Sequence, residues 1–302
     1  MGVAGIGIVG GAFLTLLALC VGAALTFWLE RALTPAVGAA QPLTLDQDVQ
    51  LGHADRWMYP AGPISALFGV TAAAAVLPFG PGLIGADLGI GAFYFIVVVD
   101  FVVLGVALGG WGAGSRNAVE SFYRITAQLV SYVVPLGLAY VGALMMAASL
   151  STTRIVEAQS DVWFIVLQPL GFILYLITGL MQAYRAPFYE PLSEHIGGGV
   201  LSAVGGWKAL LWRVSLAGLL FVVAAMGALL YLGGWLGPWL PGPVWMLLKT
   251  FALMALMLWL GRRFKPLSTA QMLSLSWRIL IPAGLLNVLI VGGLILAGVG
   301  PQ

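Results

Sequence analysis

Charge is what this chain has least of. Of its 302 residues only 8% are Asp, Glu, Lys or Arg, while 61% are hydrophobic. A soluble globular protein carries charge on about a quarter of its residues, so water is excluded as the main solvent. Cysteine is nearly absent: Cys20 is the one thiol. No intramolecular disulfide can form, and four-cysteine sites for zinc or iron–sulfur clusters are ruled out. Histidine is equally scarce, and His195 has no second histidine near it, so a metal site is not expected. The glycine run Gly197 to Gly199 is followed by no Walker-type lysine, which removes the phosphate-loop reading. Any redox centre belongs to a partner, and no nucleic-acid partner is expected.

What is present is a series of apolar stretches, each long enough to cross a hydrocarbon core about 30 Å thick as a helix. They lack the short alternating segments of a β-barrel. The expected fold is an all-α integral membrane protein of about eight transmembrane helices, forming one polytopic domain over residues 1–302. The spans fall near 3–28, 62–86, 89–108, 126–149, 161–183, 209–233, 243–261 and 274–299. The first has neither a basic leader nor a small-residue cleavage site, so it reads as a retained helix. Pro135, Pro169 and Pro282 each interrupt a span and read as bends.

The basic residues divide sharply between the connections. Arg31, Arg56, Arg116, Arg124, Arg185, Lys208, Arg213, Arg262, Arg263, Lys265 and Arg278 fall on one side, and Arg154 alone on the other. Lys and Arg mark the cytoplasmic face, so both termini are expected on the non-cytoplasmic side. The remaining basic residue, Lys249, lies inside the seventh span, and Asp100 lies inside the third. Ionisable groups at such depth are costly in lipid and should face a bundle interior, a cavity or a polar partner. Both are candidates for a proton or polar pathway, the alternative being a buried anchor between helices.

The long cytoplasmic connections carry the remaining polar material. The first contains Glu30-Arg31, Gln41 and Asp55-Arg56; the third leads to Arg124 and Gln128, four residues apart and so on one helix face; the fifth holds Tyr184-Arg185-Ala186-Pro187-Phe188. Such groups at a membrane entrance can orient a polar head group, anchor a protein interface, or snorkel to lipid phosphate.

These residues together resemble a known family. Leu29-Glu30-Arg31, Gln41-Pro42-Leu43, Ala54-Asp55-Arg56-Trp57, Pro78-Phe79-Gly80-Pro81-Gly82, Asp87-Leu88-Gly89-Ile90-Gly91, Gly110-Trp111, Arg124 to Tyr132, Ile155-Val156-Glu157-Ala158-Gln159, Arg185-Ala186-Pro187-Phe188 and Gly233-Gly234-Trp235-Leu236-Gly237-Pro238 occur in order, with Lys249 and the Ser276-Trp277-Arg278 to Asn287 segment behind them. The series is similar to the quinone-chamber membrane subunit of respiratory complex I, the NuoH-type or subunit 1 family. The resemblance implies a subunit of a proton-translocating NADH (or ferredoxin):quinone oxidoreductase, placed at the junction of peripheral and membrane arms in a prokaryotic plasma membrane. It implies quinone as substrate, with iron–sulfur clusters and flavin held by partner subunits and no redox cofactor in this chain. The implied partners are peripheral iron–sulfur subunits on the cytoplasmic side, antiporter-like and small membrane subunits, and lipid. By matched position, Glu30, Arg31, Gln41, Arg124, Gln128, Arg185 and Phe188 are the candidates for the chamber or its mouth.

The chain departs from that family pattern in its acids. Val133 and Gln182 stand where carboxylates of the coupling route are expected, the loop after Phe188 reads Tyr189-Glu190-Pro191-Leu192-Ser193-Glu194, and an acid before Gln271 is missing. Neither Val133 nor Gln182 can carry charge. Asp100, Glu120 and Glu157 are therefore candidate replacements. Two other readings stay open: a scaffold paralogue in such a complex that is non-catalytic or uncoupled, and a stand-alone carrier using Asp100 and Lys249.

Overall fold

A computed structural model describes residues 8–33, 54–114, 116–188 and 206–298. Among these residues the architecture is a helical bundle without extended sheet; an isolated bridge between Gly80 and Leu83 closes one tight turn. The elements are α1 (Ile8–Leu33), α2 (Met58–Ala75), α3 (Gly91–Val99), α4 (Phe101–Gly112), α5 (Arg116–Ala147), α6 (Thr152–Glu157), α7 (Phe164–Leu167), α8 (Pro169–Gln182), α9 (Gly206–Tyr231), α10 (Gly242–Arg263), α11 (Thr269–Leu275) and α12 (Ile281–Leu296). A π turn, Ser276–Leu280, joins the last two.

Six helical stretches are long and apolar enough to cross a membrane: Gly10–Ala32, Gly91–Gly112, Ala118–Ala147, Gly206–Tyr231, Gly242–Arg263 and Thr269–Leu296. The other two expected spans are occupied by shorter helices, α2 of 18 residues and α8 of 14. An all-α membrane protein is thus what the chain forms. Several boundaries move. The second expected span, 62–86, ends as helix at Ala75, and residues beyond it turn back through Phe79, whose N–H donates to the Leu83 carbonyl at 2.8 Å. The fourth begins at Arg116 rather than near 126, because residues expected in a polar connection continue the same helix. Pro135 sits inside α5 without ending it, and Pro282 follows the π turn inside the continuous stretch Thr269–Leu296. Pro169 opens α8, where a residue with no N–H costs nothing.

The core is built around α9. Its sequence is apolar on every side, the composition of a helix with no lipid-facing stripe, and 94% of its apolar stretch is buried inside the bundle. α1, α2, α8 and α10 pack on it. Thr26 on α1 donates to the Ala217 carbonyl at 3.1 Å, and Tyr175 on α8 donates to that of Val223 at 2.7 Å. α12 is the opposite case, with 22% of the corresponding stretch buried and Leu285, Leu286 and Leu289 facing outward.

Contacts between helix ends gather the basic connections at one end of the bundle. Arg185, after α8, pairs with Glu30 near the end of α1. The N–H of Asp55, before α2, donates to the Gly112 carbonyl at the end of α4. Lys208 at the start of α9 lies 4.9 Å from the Tyr59 ring centroid, and the N–H of Leu267, between α10 and α11, donates to the Pro187 carbonyl. At the other end, Thr152 donates to the Val76 carbonyl and the N–H of Ala92 to that of Leu150.

Candidate functional site

The basic end holds the most organised polar cluster. α8 stops at Gln182, and Ala183 to Phe188 form a compact turn: Tyr184 adopts φ +51°, the Ala186–Pro187 peptide is cis, and the N–H of Phe188 donates back to the Arg185 carbonyl at 2.8 Å. This turn aims the Arg185 guanidinium across the bundle. Its Nη2 lies 2.6 Å from Glu30 Oε1 and also donates to the Leu216 carbonyl of α9 at 3.3 Å. Both ion-pair partners are about four-fifths buried, so screening by solvent is weak and the pair can fix geometry.

Gln128 closes the cluster from α5. Its Nε2 donates to the Met181 carbonyl at 2.6 Å and to the Phe188 carbonyl at 3.1 Å, and its Oε1 remains buried without a partner. Phe188 is itself buried. Four of the residues expected at a chamber, Glu30, Gln128, Arg185 and Phe188, therefore converge from α1, α5 and the turn after α8.

Two of the remaining chamber candidates, Arg124 and Arg31, do not join them. Arg124 is on α5 as the four-residue spacing requires, but it pairs with the exposed Glu120 at 2.5 Å along the helix surface. Arg31 is exposed at the end of α1, and Gln41 lies outside the described residues. Near the same end, Asp55 accepts the N–H groups of Met58 and Trp57, each at 2.8 Å, and these bonds hold its carboxyl below the usual range. It thereby caps the start of α2.

Asp100 marks a break. α3 ends at Val99 and α4 starts at Phe101, with Asp100 as the hinge between them. Its Oδ1 accepts the Tyr132 hydroxyl of α5 at 3.0 Å. The carboxamide of Gln182 lies beside Asp100 and the hydroxyl of Tyr184 beside Tyr132, so that four polar groups meet here. The sequence did not single out Tyr132 or Tyr184 as site residues. The available clue was a tyrosine or glutamine inside an otherwise apolar run, which burial leaves in need of a partner.

Lys249 is placed differently. Its ammonium donates to the carbonyls of Leu232 at 2.5 Å and Leu236 at 2.6 Å, just past the end of α9, and lies 4.2 Å from the Trp163 ring centroid. A cation at a helix C-terminus satisfies orphan carbonyls and the macrodipole together. Glu157 is exposed at the end of α6, and Glu120 is held by Arg124 at the basic end. The four pathway candidates Asp100, Glu120, Glu157 and Lys249 thus do not form one row. Among the described residues, no group of three or more His, Cys, Asp or Glu is placed to hold a metal ion.

Known proteins share both this sequence pattern and this fold. The family model described as NADH dehydrogenase matches residues 40–292. The chain is 39% identical over 245 residues to the first H-type subunit of the NADH-quinone oxidoreductase of Rhodopseudomonas palustris (strain BisB5), covering 81% of this chain and 77% of that one. The chain belongs to this family. A second member, the H-type subunit of the same enzyme in Geobacillus kaustophilus (strain HTA426), is 34% identical over 254 residues, covering 82% and 76%. The fold is shared more widely. A chain of the membrane-bound sulfane sulfur reductase, an archaeal respiratory membrane complex, superposes with a TM-score of 0.80 at 21% identity, covering 95% of this chain and all of that one. The family match begins at residue 40, after Glu30, yet Glu30 is held by Arg185 from inside the matched region.

Proposed function

We propose that this chain is the membrane subunit of an NADH-quinone oxidoreductase that admits a long-tailed quinone from the bilayer and joins the peripheral arm to the proton-pumping arm. In this reading both termini lie on the non-cytoplasmic side of a prokaryotic plasma membrane, and the basic end faces the cytoplasm. There it meets peripheral iron–sulfur subunits, which supply the electrons through clusters and flavin, while antiporter-like and small membrane subunits pack alongside. The chain itself binds quinone as substrate and holds no redox centre. One observation carries the reading: the buried Glu30–Arg185 pair, braced by Gln128 on the Phe188 carbonyl, sits at the basic end of an apolar bundle. An arginine fork held there offers donors to a polar head group, while the apolar bundle suits the tail.

The test is quinone-reductase turnover of the assembled complex carrying Arg185→Ala or Arg31→Ala. Arg185→Ala is expected to lower turnover by roughly tenfold or more, since it removes the arginine from a buried ion pair; normal turnover in both variants would remove the proposed site. A second reading, an uncoupled subunit, draws on one specific observation: Gln182, uncharged, stands beside Asp100 where the family pattern has an acid. Copurification decides a third. A carrier acting alone would function without large soluble iron–sulfur partners, and the present reading requires them.

A further inference from the structure

We infer that the connection from α9 to α10, at the end of the bundle opposite the basic one, lies in the interfacial zone of the bilayer, with Trp239 at its tip inserted among the lipids as an anchor. Its composition is not that of a loop that meets water. From Leu232 through the opening of α10 to Leu248 no side chain is charged, hydroxylated or an amide; glycine, proline, leucine, valine, methionine and three tryptophans make up the whole. The neighbouring segment at the same end, 148–163, carries Ser149, Arg154, Glu157 and Asp161, the polar mixture usual for a loop in water.

The backbone is bonded as lipid demands. In hydrocarbon each N–H and C=O must find its partner inside the protein. Pro238, Pro241 and Pro243 bring no N–H to satisfy. Gly233 donates to Gln159 Oε1, Gly234 to the Ala228 carbonyl and Leu236 to that of Gly233. The carbonyls of Leu232 and Leu236 accept from the Lys249 ammonium. Water would satisfy those two carbonyls unaided, so a lysine held at 5% exposure to reach them fits a loop where water is scarce.

The tip departs from this inward bonding. The N–H of Leu240 donates to the Pro238 carbonyl at 3.1 Å across Trp239, whose φ is +81°. Such a γ-turn is strained for a residue other than glycine. The Trp245 indole N–H braces it by donating to the same carbonyl at 2.9 Å, and Gly237 lies so close to the Trp245 ring that a Cβ there would sit 2.5 Å from it. The result turns one indole outward: Trp239 is 99% exposed, whereas Trp235 is buried. Leu240, Val244 and Leu248, four residues apart, carry the exposed apolar surface from the tip onto α10, so the tip continues the stripe that this span turns outward. An indole suits that level, having an apolar body and one N–H for the head-group zone. With no charge to read a particular head group, the loop recognises the boundary between acyl chains and head groups in phospholipid generally.

A nitroxide on Trp239→Cys in the intact complex, reconstituted into phosphatidylcholine vesicles, reports its surroundings through collisions with oxygen, which dissolves in lipid, and with a nickel chelate, which stays in water. Oxygen is expected to relax the label roughly threefold more strongly than the chelate does. A label on Ser160→Cys, exposed at the same end, should show the reverse order. Leu240→Cys gives the same reading as Trp239→Cys should the first variant not assemble. Dominance of the chelate at the tip puts the loop in water and overturns the proposal; slow collision with both reagents puts the tip under a partner polypeptide and overturns it equally.

Discussion

Asp100 and Lys249 are the two charges the sequence places inside apolar spans, and the fold treats them in opposite ways. Lys249 is saturated. Two carbonyls and an aromatic face take up its charge at the end of α9, and it acts as a rivet between α10 and the loop that follows α9. Asp100 accepts a hydrogen bond from Tyr132 and stands at a helix break with the polar groups of Gln182 and Tyr184 close by. An intramembrane charge therefore marks function only when its surroundings leave it something to do. By that standard we propose Asp100 as the residue that exchanges a proton and Lys249 as an architectural anchor.

The comparison can be broken at four points. Lys249→Met leaves the two carbonyls of Leu232 and Leu236 without a donor, and a loss of about 3 kcal/mol in stability is expected, read as a lower unfolding temperature of the solubilised assembly; loss of pumping at unchanged stability would instead move Lys249 to the side of Asp100. Asp100→Asn should cut proton pumping in the reconstituted complex by roughly tenfold while quinone reduction continues, because a carboxamide cannot carry the proton; unchanged pumping would count against Asp100. Tyr132→Phe removes the hydroxyl bonded to that carboxylate, with an expected cost of about 1 kcal/mol and a partial pumping defect measured the same way. Arg124→Ala, which breaks an exposed pair along one helix, should change stability by no more than about 0.5 kcal/mol.

Much of the fold was legible because lipid imposes length and composition on a helix. The apolar runs located the long apolar helices, and the contacts of Glu30, Asp55, Lys208 and Leu267 bring together the ends that the arginine count had grouped. The breaks were less legible. Pro169 announced one of them, but α3 parts from α4 at Asp100 with neither proline nor glycine at the joint, in a run of β-branched residues that reads as continuous span.

The site was half legible for a related reason. Spacing put Arg124 and Gln128 on one face of α5, and the helix does so, but one turn separates a solvent-edge position from a buried one. Only the turn after α8 decides which of them meets Met181 and Phe188. The partners of Lys249 lie 17 and 13 residues away in the chain, beyond any local pattern. A carbonyl, moreover, has no identity in a sequence.

The central position of α9 bears on how the protein is made. α1 and α2 leave the ribosome first, and although α2 soon packs on α4, the faces that both turn to α9 stay uncovered until it arrives. The bundle cannot close in the order of synthesis, so a truncation before residue 206 would leave those faces with nothing to pack on.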